Sequence, residues 1–387
     1  MKKSICLVLI LALGGMVFGQ TATSSVSPKS AKAMGMGGSF RVFSTGYDTF
    51  FGNPAGFATK NGSLTIADLG AWAYFKPTQE NIDKAMTIAN GTATESEMAS
   101  YVGDWVINNG LGFGASLGIG WAGKGFGLGA TLVTDEVASG TSLLGSVMTS
   151  RTQATAVAGV GFPIKLGPLN IRLGVDARAY YLLDSYSSDT SEYSWPFADI
   201  AMEAMSETGD PETAIRDLDI VGGFGFAFDA GATIGFGPLM IGAMVRDYGL
   251  EFNRGTTKVG TLMDEGTLPT DGTDAYILMP EVSVGAGLQF KLGKILAPSF
   301  YIETEDPLTF IDEGMNGMWN KIHAGAEVKI FNFLALRTGL NKGWVSLGAG
   351  IDFFVFEVDA ALFTEEMGDV PGDFGRTGIA IQFAVRL

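Results

Sequence analysis

Few residues in this chain have the types and spacing of a catalyst. Gly118-Ile119-Gly120-Trp121-Ala122-Gly123 fits the dinucleotide pattern G-x-G-x-x-G. It closes one alternating stretch and leads into another, so the helix N-terminus that would hold a pyrophosphate is missing. With 55 glycines in 387 residues, such a spacing arises by chance. His323 is the sole histidine, so a Ser-His-Asp hydrolase would have to use it. Its strand parity instead points it inward beside Glu327, as a hydrogen-bonded structural group. The stretch 184–219 carries eight further acids between Asp184 and Asp219 against one Arg216, without the spacing of a calcium loop. It reads as a solvated exterior. No enzyme, metal site or cofactor is expected.

The remaining charges are informative by position. Leu111, Phe113, Ala115, Leu117, Ile119 and Trp121 share one parity, and glycine or serine takes the other. That is a strand with one apolar face and one nearly bare face. Further rows follow, such as Leu169 to Leu183 and Phe224 to Phe236. The charges of these strands keep to the polar parity: Arg172, Asp176, Arg178, Asp229, Arg246, Glu327, Arg337, Glu357 and Asp359. A charge on a lipid-facing surface costs about 2–4 kcal/mol at mid-membrane, which explains the bias. Asp68, in a less regular first strand near 63–75, is not placed by this rule.

Met1-Lys2-Lys3, an apolar run from Ser4 to Val17 and the small residues near Gly19 read as a secretory signal over 1–19. Cys6 is the only cysteine and lies within it, so the mature chain has no thiol. Formal charge is −16 and falls further when Lys2 and Lys3 leave, which argues against nucleic acid as a partner. Mean hydropathy is positive, yet no uncharged apolar run after residue 20 is long enough for a spanning helix. An exported, hydrophobic chain without such a helix is either a secreted all-β protein or a β-barrel in an outer membrane.

About fourteen antiparallel strands are expected over 62–387. Long connections near 76–110, 137–153, 184–218, 250–278, 305–319 and 365–375 alternate with tight turns near 123, 167, 237, 292, 331 and 353, the habit of outer-membrane barrels. Trp195–Met205 and Tyr101–Ile107 are apolar, helix-compatible patches in two of the long loops. The last strand alternates through Ile379, Ile381, Phe383, Val385 and Leu387, like the C-terminal signal read by outer-membrane assembly machinery.

One segment fits no strand. Residues 20–61 include Gly37, Gly38, two phenylalanine clusters and the turn Asn53-Pro54-Ala55-Gly56. It is too apolar for a tail, and the glycines of 111–133 leave room for it against the wall. Together with Asp48, and with His323–Glu327 and Leu336–Leu340, this segment resembles the N-terminal hatch and barrel of the FadL family of outer-membrane transporters. Val245-Arg246-Asp247-Tyr248-Gly249 is similar to the PorV branch tied to protein secretion. The resemblance implies an all-β, fourteen-strand transmembrane barrel plugged by its N-terminus, with Asn53 to Gly56 fixing the hatch. It implies passive uptake of long-chain fatty acids or other hydrophobic molecules across the outer membrane. The alternative it leaves open is a barrel with a structural, surface or secretion-partner role.

Overall fold

In the computed structural model, residues 21–205, 210–270, 272–293, 295–307, 319–368, 370 and 372–387 are described. The expected signal segment lies outside them.

Alternation of apolar and small residues, broken by turn residues, produces fourteen spanning strands. They are β1 (Ser63–Tyr74), β2 (Leu111–Gly123), β3 (Phe126–Ser139), β4 (Val147–Leu166), β5 (Leu169–Tyr186), β6 (Asp219–Phe236) and β7 (Leu239–Gly249). The second half is β8 (Glu281–Gln289), β9 (Leu296–Glu305), β10 (Ile322–Ile330), β11 (Leu334–Asn341), β12 (Trp344–Phe353), β13 (Phe356–Glu366) and β14 (Gly375–Arg386). Each pairs antiparallel with the next, for example Leu117↔Leu132 and Glu327↔Arg337. β14 returns to β1 through Ile381↔Ala71 and Phe383↔Leu69, and the ladder closes. Closure satisfies every spanning backbone group without an edge.

The outward faces are apolar. Leu117, Ile119, Leu128, Phe162, Phe226 and Ile351 each leave 45–63 % of their surface uncovered by protein. Withdrawing one such side chain from water is worth about 1.5–3 kcal/mol, so this surface suits a bilayer. Among the described residues, no helix is long and apolar enough to cross one. At one end the strands join by tight turns. Gly167-Pro168 and Gly237-Pro238 each place a glycine at φ +58° ahead of proline, a two-residue hairpin connection. At the other end are long connections, apart from the two residues Lys342-Gly343.

Those long connections carry helices and short strands. Following α1 in the N-terminal segment (Ala31–Gly35), they hold α2 (Gln79–Ala89), α3 (Glu95–Asn108), α4 (Phe197–Met205), α5 (Pro211–Arg216) and α6 (Val259–Glu265). Thr94 caps α3 through a reciprocal box with Glu97. The two apolar loop patches fall in α3 and α4, as their composition suggests. Four short strands lie outside the ring: Thr21–Thr23, Trp195–Pro196, Phe252–Lys258 and Asp274–Leu278. The first pairs parallel with the last, which brings the start of the described chain to the long-loop end.

Two expectations change. The loop expected over 137–153 is mostly strand, since β3 and β4 stay paired from Phe126↔Val160 to Ser139↔Val147. Its polar residues, such as Thr149 and Arg151, hide the alternation because both faces there are polar. The irregularity of β1 is a bulge: the register with β2 slips between Thr65 and Asp68. That slip turns Asp68 inward, where it is 1 % exposed.

Replacing outward Ile119 by arginine is expected to lower stability in lipid by about 2–4 kcal/mol, as read from urea titration of the bilayer-inserted protein.

Candidate functional site: the filled lumen

Residues 31–58 are buried or half-buried, with Thr45 the one exposed position. Their neighbours are the glycines of the inner wall. A methyl group on Gly127 or Gly159 would overlap the Phe57 ring, and one on Gly129 or Gly120 would meet Phe50. On the opposite wall Gly35 lies against Gly348, and Met36 against Gly325 and Gly339. A segment that touches β2, β3, β4, β10, β11 and β12 from their inward faces lies inside the barrel. Gly37 and Gly38, at φ +74° and +76°, pass so close to Leu340, Ala324 and His323 that a side chain would collide.

Asn53, fully buried, ties the segment to itself and to the wall. Its Nδ2 donates to Val42 O at 3.0 Å, Ala243 O at 3.2 Å and Ala232 O at 3.3 Å, while its Oδ1 accepts from Ala55 N at 2.9 Å. Pro54 then opens a 3-10 turn, Pro54–Ala58, where its missing N–H costs nothing. Pro54 and Ala55 press on Gly174, and the Asn53 amide on Gly231. Gly56 fits against Ser44 and Thr49.

The inward charges form separate clusters rather than one network. Arg178 donates to Asp229 at 2.7 Å and to Asp247, and Asp176 sits opposite Asp229 across the ladder. Arg246 donates to Phe51 O at 2.6 Å, and its Nε lies 3.6 Å from Asp229. A bulge lets Arg246 and Asp247 both face inward against a single partner, Asp229. Farther round, Arg337 pairs with Glu327 at 2.7 Å and with Asp359. Arg386 pairs with Asp68 at 2.6 Å and with Glu357. Arg172, beside the 167 turn, joins none of these.

His323 is not beside Glu327. Its Nδ1 is 2.7 Å from Gly37 O, its Nε2 is 3.7 Å from Glu305, and its cross-strand partner is Glu303. Four residues along a strand span about 13 Å, so a neighbouring strand supplies the contact instead. Gly114-Ala115-Ser116-Leu117-Gly118 has the spacing of a nucleophile elbow but lies within β2, with strand on both sides.

Several more residues hold the segment, among them Glu303, whose strand parity already points it inward. Glu303 accepts from Arg41 N at 2.9 Å, and the Arg41 side chain reaches Glu281 at 2.7 Å and Glu305 at 3.1 Å. Ser25 donates to Asp247 at 2.6 Å, and Lys29 pairs with Glu365. Asp247 had a signal: two consecutive charges in a spanning strand cannot both avoid lipid without a bulge.

Between the segment and the wall, at the long-loop end, lies a chamber of about 350 Å³. Ala33, Met34, Phe40 and Phe51 give it an apolar part, and Lys29, Arg41, Glu305, Lys342, Glu365 and Arg376 a charged one. Burial pushes the Asp48 carboxyl at its floor upward, but Lys32 and then Arg386 more than offset this, so it is held below the usual aspartate value.

No family model matches the chain, and no curated protein does. Solved structures similar to it include the CymD monoaromatic hydrocarbon channel (13 % identity, TM-score 0.46, covering 96 % of this chain and 98 % of that one). The Ralstonia pickettii toluene transporter TbuX is another (13 % identity, TM-score 0.45, 96 % and 99 %). A Pseudomonas aeruginosa FadL homologue is a third (13 % identity, TM-score 0.40, 94 % and 99 %).

Asn53→Ala removes buried hydrogen bonds and is expected to lower the cost of local opening by about 1–3 kcal/mol. With no other cysteine after residue 6, thiol labelling of Thr49→Cys checks this; the rate should rise roughly 10- to 100-fold in the Asn53→Ala background.

Proposed function

We propose that this chain is an outer-membrane channel for passive uptake of hydrophobic small molecules, long-chain fatty acids among them, and not a catalyst. The observation that carries the reading is the chamber between the N-terminal segment and the wall. Its volume, about 350 Å³, is in the range of small-molecule sites. Its apolar part suits a hydrocarbon body, and a carboxylate head would exchange with Glu365 for Lys29 and Arg376. The Asn53-Pro54-Ala55 segment, which resembles a FadL-type hatch, supports the same reading. Exposed Ile82 and Met86 on α2 and Met202 on α4 offer apolar landing points at the same end.

The apolar outer belt would face membrane lipid, and the alternating C-terminal strand would serve the assembly machinery. In this reading Asn53, Pro54 and Gly56 hold the hatch, Gly37 and Gly38 let it pass the wall, and the inward ion pairs keep it seated.

Uptake of radiolabelled oleate and toluene by cells producing the protein tests this. Wild type should exceed an empty-vector control, and Ala33→Trp, which fills the chamber, should cut the gain roughly ten-fold, the effect of about 1.4 kcal/mol. Heat-modifiable gel migration verifies that the variant barrel folds. Uptake no greater than the control would overturn the proposal in favour of a non-transport barrel.

A further inference from the structure

Three cavities inside the barrel share a wall at one side chain. The outer chamber is bounded at the long-loop end by Glu305, Lys342 and Glu365. A second cavity of about 670 Å³ lies at the short-turn end, against Gly237, Pro238 and Lys291. A third, of about 220 Å³, lies at that same end against Ser63, Asp352 and Arg386. Lys32, on α1, lines all three. Asp48 separates the chamber from the third cavity, and Phe40 separates it from the second.

At this junction Lys32 Nζ donates to Asp48 at 2.9 Å and sits 3.9 Å above the centre of the Phe40 ring. One cation therefore stands where the three cavities adjoin. The contact is light. The Lys32 and Asp48 side chains keep 23 % and 20 % of their surface accessible, against 2 % and 1 % for Arg178 and Asp229. Ion pairs that already meet water are weak, and a lysine stem can swing aside without moving the Asn53 anchor. Phe40 is also strained, at φ +101°, a conformation that a bulky residue holds only when its surroundings impose it.

We propose that the Lys32–Asp48–Phe40 contact is the gate of an axial passage from the outer chamber to the short-turn end. The inference rests on the uptake reading and names the exit. The two lower cavities differ in chemistry. Met240, Phe290 and Tyr301 line the second beside Lys291, Glu327 and Lys329, while Arg337, Glu357 and Asp359 dominate the third. Hydrophobic cargo takes the Phe40 branch, and water and ions take the Asp48 branch. The barrel wall need not part.

The test uses the full-length mature protein and two readouts. In planar bilayers, Lys32→Ala and the nearly isosteric Asp48→Asn should each raise KCl conductance roughly five-fold, the effect of removing a partly exposed ion pair. In cells, Phe40→Cys blocked with a bulky maleimide should lose most of the oleate uptake that the same variant shows before it is blocked. Heat-modifiable migration confirms folded barrels in each case. Oleate uptake unchanged by the block would overturn the axial route while leaving the uptake function standing. Wild type without uptake would remove the functional reading, and conductance unchanged in both charge variants would then overturn the gate independently.

Discussion

A closed ladder of fourteen strands has a bore set by strand number and tilt, and whatever fills it must fit that width. Here the filling is the chain's own N-terminal segment, and the inner wall is shaped to take it. Phe57 occupies the space that side chains at Gly127 and Gly159 would need, Phe50 that of Gly129, and Met36 that of Gly325 and Gly339. The high glycine content is thus a property of the wall. Bulky residues face lipid and small ones face the segment, along the same strands.

Charge follows from the same constraint. Inside the bore a charged group must pair or meet enclosed water, because the outer face is apolar. Arg178, Arg337 and Arg386 each bridge carboxylates on two other strands. Arg246 and Glu303 instead reach backbone groups of the segment, Phe51 O and Arg41 N. The first kind ties strand to strand, and the second ties filling to wall. Lys32 with Asp48 is a third kind, joining two parts of the segment itself while each side chain keeps about a fifth of its surface accessible.

Much of this was legible in the sequence, because strand parity is a local property. Leu111 to Trp121 announced a strand with a bare face, and the charges that shared the glycine parity announced the lumen. Features that depend on register were not legible. The cross-strand neighbours of His323 are fixed only once β9 and β10 are aligned, so its proximity to Glu303 and Gly37 could not be read from spacing. Bulges hid Asp68 and Asp247, because one inserted residue reverses parity downstream of it. The polar start of β4 resembled a loop because alternation vanishes where neither face meets lipid. The cavities depend on where Phe40 and Lys32 point within the bore, which no periodicity encodes.

The central claim is that residues 31–58 are packed within the barrel as firmly as the wall itself. Hydrogen exchange of the protein in lipid nanodiscs measures this directly. The backbone amides of Met34, Asn53, Ala55 and Gly56, all hydrogen-bonded within the segment, should exchange as slowly as amides of the β2–β3 ladder. Exchange at the rate of an open loop, with the ladder still protected, would contradict it.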